Sequence, residues 1–171
     1  MSVRAFKGMA PKLHPSVFVE QSATVIGDVE IGEQSSIWFN TVVRGDVNRI
    51  RIGRRTNIQD LSLIHVQKDQ YATTIGDEVT VGHHVVLHGC TVGNRVLVGM
   101  GAILMDGVVV EDECIVGAGA LLTPGTRIPT GMLAVGSPAK PRRPLTPEER
   151  AWLSRSAANY AEYAAAYLAG E

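Results

Sequence analysis

Ile75-Gly76-Asp77-Glu78-Val79-Thr80-Val81-Gly82-His83-His84-Val85-Val86-Leu87-His88-Gly89-Cys90-Thr91-Val92-Gly93 is the stretch whose spacing decides the fold. Ile75, Val81 and Leu87 stand six residues apart, and glycine follows the first two. The same step runs backward through Val19, Val25, Ile31, Ile37 and Val43, then Ile52, Ile58 and Ile64. It runs forward through Val92, Val98, Leu104, Val110, Val116, Leu122 and Ile128. A helix requires apolar spacings of three and four, and a half-buried strand requires two. A sustained period of six fits neither. It fits an all-β solenoid of short strands, with each aliphatic side chain pointing inward and a turn-forming residue at the corner after it.

The aliphatic–glycine hexad resembles the hexapeptide repeat over roughly residues 11 to 140. That resemblance implies a left-handed parallel β-helix of triangular section with three hexads per coil. The aliphatic residues then sort into three columns. The first holds Val19, Ile37, Ile58, Val81, Val98 and Val116. The second holds Val25, Val43, Ile64, Leu87, Leu104 and Leu122, and the third Ile31, Ile52, Ile75, Val92, Val110 and Ile128. Three steps break the period. Val43 to Ile52 is 9, which predicts a bulge near Asp46 to Arg49; Ile64 to Ile75 is 11, which predicts a loop around Gln67 to Tyr71. Leu87 to Val92 is 5, so one corner lacks a residue. Repeat proteins carry such insertions in loops, often on the binding face.

The chain divides into a hexapeptide-repeat β-helix domain, 1–140, and a linker with a C-terminal helix, 141–171. Pro138, Pro141 and Pro144 break the solenoid. Thr146-Pro147-Glu148-Glu149 reads as a capping box with proline at the first helical position. Trp152, Leu153, Tyr160, Tyr163, Tyr167 and Leu168 form the expected apolar stripe, covering the solenoid or a neighbouring subunit. A net charge of -1 and 5% aromatics argue against nucleic acid as a partner. No apolar run reaches the ~18 residues of a membrane span. The amino terminus has no apolar core of a signal peptide, and a cytoplasmic location is expected. Cys90 and Cys114 are then free thiols; Cys90, close to the histidines, raises the question of ligation.

His65 follows Ile64 and His88 follows Leu87, one coil apart in the second column. Their side chains point the same way from strands separated by ~4.8 Å. Two imidazoles so placed can share one ion at the usual Zn–N distance of about 2.0–2.1 Å. His83 comes two residues after Val81 in the first column and lies around a corner. A neighbour related by a threefold axis brings its own His83 to the pair, which predicts a homotrimer with intersubunit metal sites. Three histidines leave a fourth position for water, whose pKa falls toward ~7 on a catalytic zinc. The resulting hydroxide suits a small electrophile such as carbon dioxide. The plain alternative is a set of solvated polar groups on a solenoid face. His84 points opposite to His83 and reads as structural; His14 precedes the strong repeat and carries no assigned role.

Arg44-Gly45-Asp46, Asn57-Ile58-Gln59-Asp60, Ile64-His65, His83 through Cys90, and Gly136-Ser137-Pro138-Ala139-Lys140 together resemble the γ-class carbonic anhydrase family. The resemblance implies reversible hydration of CO2 to bicarbonate by a metal-bound hydroxide, on zinc, with Fe2+ or Co2+ able to replace it. It assigns His65 and His88 to one chain and His83 to the next. It pairs Arg44 with Asp46 of a neighbour near the metal. It gives Gln59 the task of orienting the hydroxide and places Asn57 in the same pocket. Asp60 holds backbone or Arg44, and Tyr160 is an aromatic near the metal.

Two positions depart from the family pattern. Lys68 stands where a proton-shuttling glutamate is found, and Val47 replaces a glutamate after the aspartate. Hydration regenerates its nucleophile only if a proton leaves, and Asp69 or Glu78 are the remaining candidates to take it. Two other readings stay open. One is a metal-binding trimer of the same family with little or no turnover, in an assembly or anion-binding role. The other is an acyltransferase or thioesterase on the same scaffold, which is an argument from fold alone.

Overall fold

Each expected column is a parallel ladder in the computed structural model, which describes residues 2–170. On the first face Val19 pairs with Ile37, Ile37 with Ile58, Ile58 with Val81, Val81 with Val98, and Val98 with Val116. The second face aligns Val25, Val43, Ile64, Leu87, Leu104 and Leu122, and the third aligns Ile31, Ile52, Ile75, Val92, Val110 and Ile128. The solenoid is left-handed and makes about seven coils before a single C-terminal helix. Nearly all of these side chains are buried inside the triangle. Each buried Leu, Ile or Val contributes about 1.5–3 kcal/mol.

Polar ladders hold the coils in register at the corner between the third and first faces. Arg54 N–H donates to Asp77 Oδ1 (3.0 Å), Asp77 N–H to Asn94 Oδ1 (2.9 Å) and Asn94 N–H to Asp112 Oδ1 (2.7 Å).

All three breaks in the period fall at one corner, between the second and third faces. Along Val42–Ile52 the register with Thr24–Ile31 shifts: Gly27 pairs with Gly45, but Val29 pairs with Ile50, so residues 46–49 form the predicted bulge. The loop through residues 66–72 joins Leu63–His65 to Thr73–Ile75. The missing residue tightens the turn at Gly89, whose φ is +56°. A Cβ there would lie 2.3 Å from Asp106 Oδ1 and 2.7 Å from Tyr71 Cβ, so only glycine fits.

At the far end, Met132–Gly136 and Ala139–Pro144 form an antiparallel hairpin. Residues 141–144, expected as linker, therefore extend a strand. Pro141 and Pro144 do not end it because it is the outermost strand, where missing N–H donors are tolerated. These prolines, with Lys140, Arg142 and Arg143, also discourage another chain from pairing there.

The helix spans Pro147–Ala169, with Thr146 as N-cap and Glu149 completing the capping box. It packs on the first-face strands of its own chain. The expected apolar stripe holds at Leu153 and Tyr160 and is corrected at the other bulky positions. Trp152, Tyr163 and Leu168 are exposed, whereas Leu153, Ser156, Ala157 and Ala164 are buried. Small side chains let the helix approach the sheet closely, so the larger ones turn outward. Tyr160 and Tyr167 extend the contact onto Phe18 and Trp38. No helix among the described residues is long and apolar enough to cross a membrane.

Candidate functional site

Register places His65 directly opposite His88, with His65 Nδ1 3.2 Å from His88 Nε2. A carboxylate faces the far side of each ring. Asp106 Oδ1 lies 2.7 Å from His88 Nδ1, and Asp46 Oδ1 lies 3.0 Å from His65 Nε2. An ionised carboxylate only accepts hydrogen bonds, so each ring places its proton on the carboxylate side. The two nitrogens that face each other are then both lone pairs, and neutral rings in these tautomers cannot hydrogen-bond together. A cation between them satisfies both. Nitrogens bound at the usual zinc distance in a tetrahedral site lie ~3.3–3.4 Å apart, close to the separation found. The donor set therefore fits a borderline divalent ion.

The electrostatics favour a neutral His65. Burial lowers the His65 pKa below its usual 6.5 against the hydrogen bond to Asp46, and the Arg44 charge lowers it further. Burial alone would raise the Asp46 carboxyl, but hydrogen bonds from Arg44 and His65 hold it below the usual carboxylate range. Arg44 Nη1 meets Asp46 Oδ2 at 2.5 Å within the same strand. The family resemblance had assigned this aspartate to a neighbour; in the single chain the two residues, spaced by two, share a strand face.

His83 lies elsewhere. Its Nδ1 is 2.6 Å from Asp60 Oδ2, past the end of the first-face strand Thr80–Val81. Asp60 also accepts from the backbone N–H of Phe39 (3.1 Å). It therefore holds backbone, as expected, but its second partner is His83 and not Arg44. Gln59 and Asn57 are buried on this face, with Gln59 Nε2 donating to Asn57 Oδ1 (3.1 Å). Tyr160 packs edge-on against Trp38 at 5.4 Å. Burial, reinforced by the Asp60 charge, raises its phenol pKa.

The candidate residues of one chain thus fall into two separate sets. Arg44, Asp46, His65 and His88 gather on the second face, and Asn57, Gln59, His83 and Tyr160 on the first. Among the described residues no group of three or more His, Cys, Asp or Glu converges to hold a metal. Cys90 is outside both sets: it points into the core, where burial pushes its thiol up to about 12. His84 takes the positive φ of a corner and is exposed. Lys68 and Asp69 are exposed and 4.0 Å apart.

Asp106 is the residue that sequence reasoning missed. It follows Leu104 by two, one coil beyond His88-Gly89. The five-residue step marks that corner as tight, but the positive φ at Gly89 is what brings the Asp106 carboxylate against the glycine.

A family model described as bacterial transferase hexapeptide (six repeats) matches residues 89–124. Gamma carbonic anhydrase 1, mitochondrial, of Arabidopsis thaliana is 53% identical over 94% of this chain. The chain spans only 60% of that protein's length. A carbonic anhydrase of Geobacillus kaustophilus is 44% identical, with 96% of this chain and 90% of that protein covered. The crystal structure of a hexapeptide transferase family protein from Anaplasma phagocytophilum superimposes with a TM-score of 0.93 at 43% identity, covering 97% of this chain and 98% of that one. With about half of its residues identical over most of its length to these carbonic anhydrases, the chain belongs to the γ-class carbonic anhydrase family of hexapeptide-repeat proteins.

Proposed function

We propose that this chain is a metal-dependent carbonic anhydrase that interconverts CO2 and bicarbonate at sites shared between copies in a homotrimer. His65 and His88 of one copy and His83 of the next would hold the ion. The observation that carries this reading is the approach of His65 Nδ1 and His88 Nε2 to 3.2 Å with a carboxylate behind each ring. Two neutral imidazoles and a third suit zinc, with Fe2+ or Co2+ as replacements. When bound, such an ion supplies the Lewis acidity that makes water nucleophilic near neutral pH.

The chain's own residues supply the rest. Arg44 and Asp46 orient His65, Asp106 orients His88, and Asp60 orients His83. Asn57 and Gln59 present a buried amide pair beside His83, and Tyr160 walls that side. Self-association is supported by the outward-facing column Val42, Leu63, Val86, Ile103 and Leu121 on the second face, in which Leu63 and Ile103 are exposed beside the histidine pair. Exposed apolar surface of this kind marks contact sites. The two free cysteines, both buried, are in keeping with a cytoplasmic location.

The test mixes two inactive chains. His65→Ala and His83→Ala are each expected to lose tightly bound metal and CO2 hydration, measured by metal analysis after dialysis and by stopped flow. Co-refolded in equal amounts, they should recover about a quarter of wild-type sites, because a site needs one intact element from each of two symmetry-related neighbours. No recovery of metal would overturn the shared site. Lys68 and Val47 favour a second reading, metal binding without turnover; full metal loading with no acceleration in any buffer would establish it instead. Acyl transfer independent of metal would support the transferase reading.

A further inference from the structure

We infer that Thr80 and Ser156 are positioning residues for Gln59, acting through a buried hydrogen-bond chain that joins the C-terminal helix to the site. The inference rests on the carbonic anhydrase reading for the purpose of Gln59, but not for the existence of the chain. Ser156 and Thr80 share a hydrogen bond of 3.0 Å between their hydroxyl oxygens, helix to solenoid. Asn57 Nδ2 donates to Thr80 Oγ1 at 3.1 Å and lies 3.4 Å from the Val79 carbonyl. Gln59 Nε2 donates to Asn57 Oδ1 at 3.1 Å. All four residues are buried, between 1% and 7% exposed.

The polarity of this chain follows from one group that cannot change role. A backbone carbonyl only accepts, so the Asn57 atom facing Val79 is the NH2 end. Its oxygen must then face Gln59, and Gln59 must answer with its own NH2. The outer end of the Gln59 amide is consequently Oε1, an acceptor. A flipped Gln59 would set two donors or two acceptors against each other in a buried place, where an unmade hydrogen bond is costly. The site is thereby presented with an acceptor that suits a hydroxyl-bearing species, water or bicarbonate. Thr80 and Ser156 terminate the chain and hold Asn57 from turning. Ser156 is the helix's only buried polar residue, on a face otherwise lined by Leu153, Ala157 and Ala164.

The experiment compares wild type with Thr80→Val, which keeps shape and removes the hydroxyl, with Ser156→Ala, and with Thr80→Ser, which restores the hydroxyl. The first readout is hydrogen exchange of the Gln59 and Asn57 side-chain amides by NMR in the full-length, metal-free protein. Loss of one hydrogen bond should speed Gln59 NH2 exchange about fivefold in Thr80→Val and less in Ser156→Ala, with Thr80→Ser near wild type. In the metal-loaded protein the same order should appear in kcat for hydration, with metal content unchanged. Gln59 exchange that is unaltered in both Thr80→Val and Ser156→Ala overturns the inference even if activity falls. If exchange responds as stated while wild type itself shows no hydration, the chain of hydrogen bonds stands and the enzymatic reading fails.

Discussion

The histidine pair and the lone His83 use the same device, one carboxylate behind each ring, in contrasting surroundings. His65 and His88 end strands whose register is locked by ladder bonds, and the side chain of His65 is only 15% exposed. His83 sits beyond a strand end, 40% exposed, with one aspartate that also serves Phe39. The ladder therefore fixes where the His65 and His88 rings meet, whereas the His83 ring is held by a corner carboxylate alone. Asp60 takes the Nδ1–H, so His83 offers Nε2 outward.

The largest expected effect separates the two sets directly. His65→Ala should abolish metal binding, because it breaks the strand-held pair and leaves His88 to depend on an imidazole from another copy. His83→Ala should retain weak binding through the His65/His88 pair, detectable by competition with a chelator. Equal loss in both variants would mean that the pair is not organised before assembly. Next, Asp106→Asn should weaken metal binding about 10–100-fold, as removal of a ligand's outer partner does. Asp60→Asn should fall at or below the lower end of that range, since Asp60 is shared with the Phe39 N–H and His83 lies past a strand end. An inverse order would show that the exposed corner, and not the strand pair, is the tuned half. Gly89→Ala probes the same contact from the backbone: it should displace Asp106 and mimic Asp106→Asn in metal affinity, while also lowering stability through its positive φ.

The two regions were also unequally legible in the sequence. The pair could be read because a six-residue period gives each coil the same environment, so that Ile64-His65 and Leu87-His88 had to coincide. The bulge at 46–49 and the loop after His65 could be counted from the breaks. Asp106 could not be read in the same way. Its approach to His88 depends on how tightly the chain turns at Gly89, a matter of φ and not of spacing. The role of Asp60 toward His83 likewise depends on a corner geometry. The helix face was misread because bulk was taken as the sign of burial. Here Ala157, Ala164 and Ser156 are the contact residues, and a stripe of small side chains carries no hydrophobic pattern.

The smallest effect concerns the helix that carries Ser156 and Tyr160 to the first face. Its first turn is held by Glu149, whose carboxyl is lowered from 4.5 to about 2, first by the Arg143 hydrogen bond and then by the Thr146 backbone N–H. The folded pKa lies below the unfolded one, so the folded state binds fewer protons between them. That contribution is fully present above about pH 4.5 and is lost as pH falls through about 2. Because the group is exposed, salt should weaken it. Acid should therefore loosen the helix over Trp38, read by its fluorescence, and Glu149→Gln should remove that dependence. Thr146→Ala should cost about 1 kcal/mol at neutral pH through the lost cap. Since the helix packs chiefly on the first-face strands, the ring signals of His65 and His88 on the second face should not follow the helix in either variant. An acid response of Trp38 that is identical in wild type and Glu149→Gln would show that the first-face half is held by the solenoid alone.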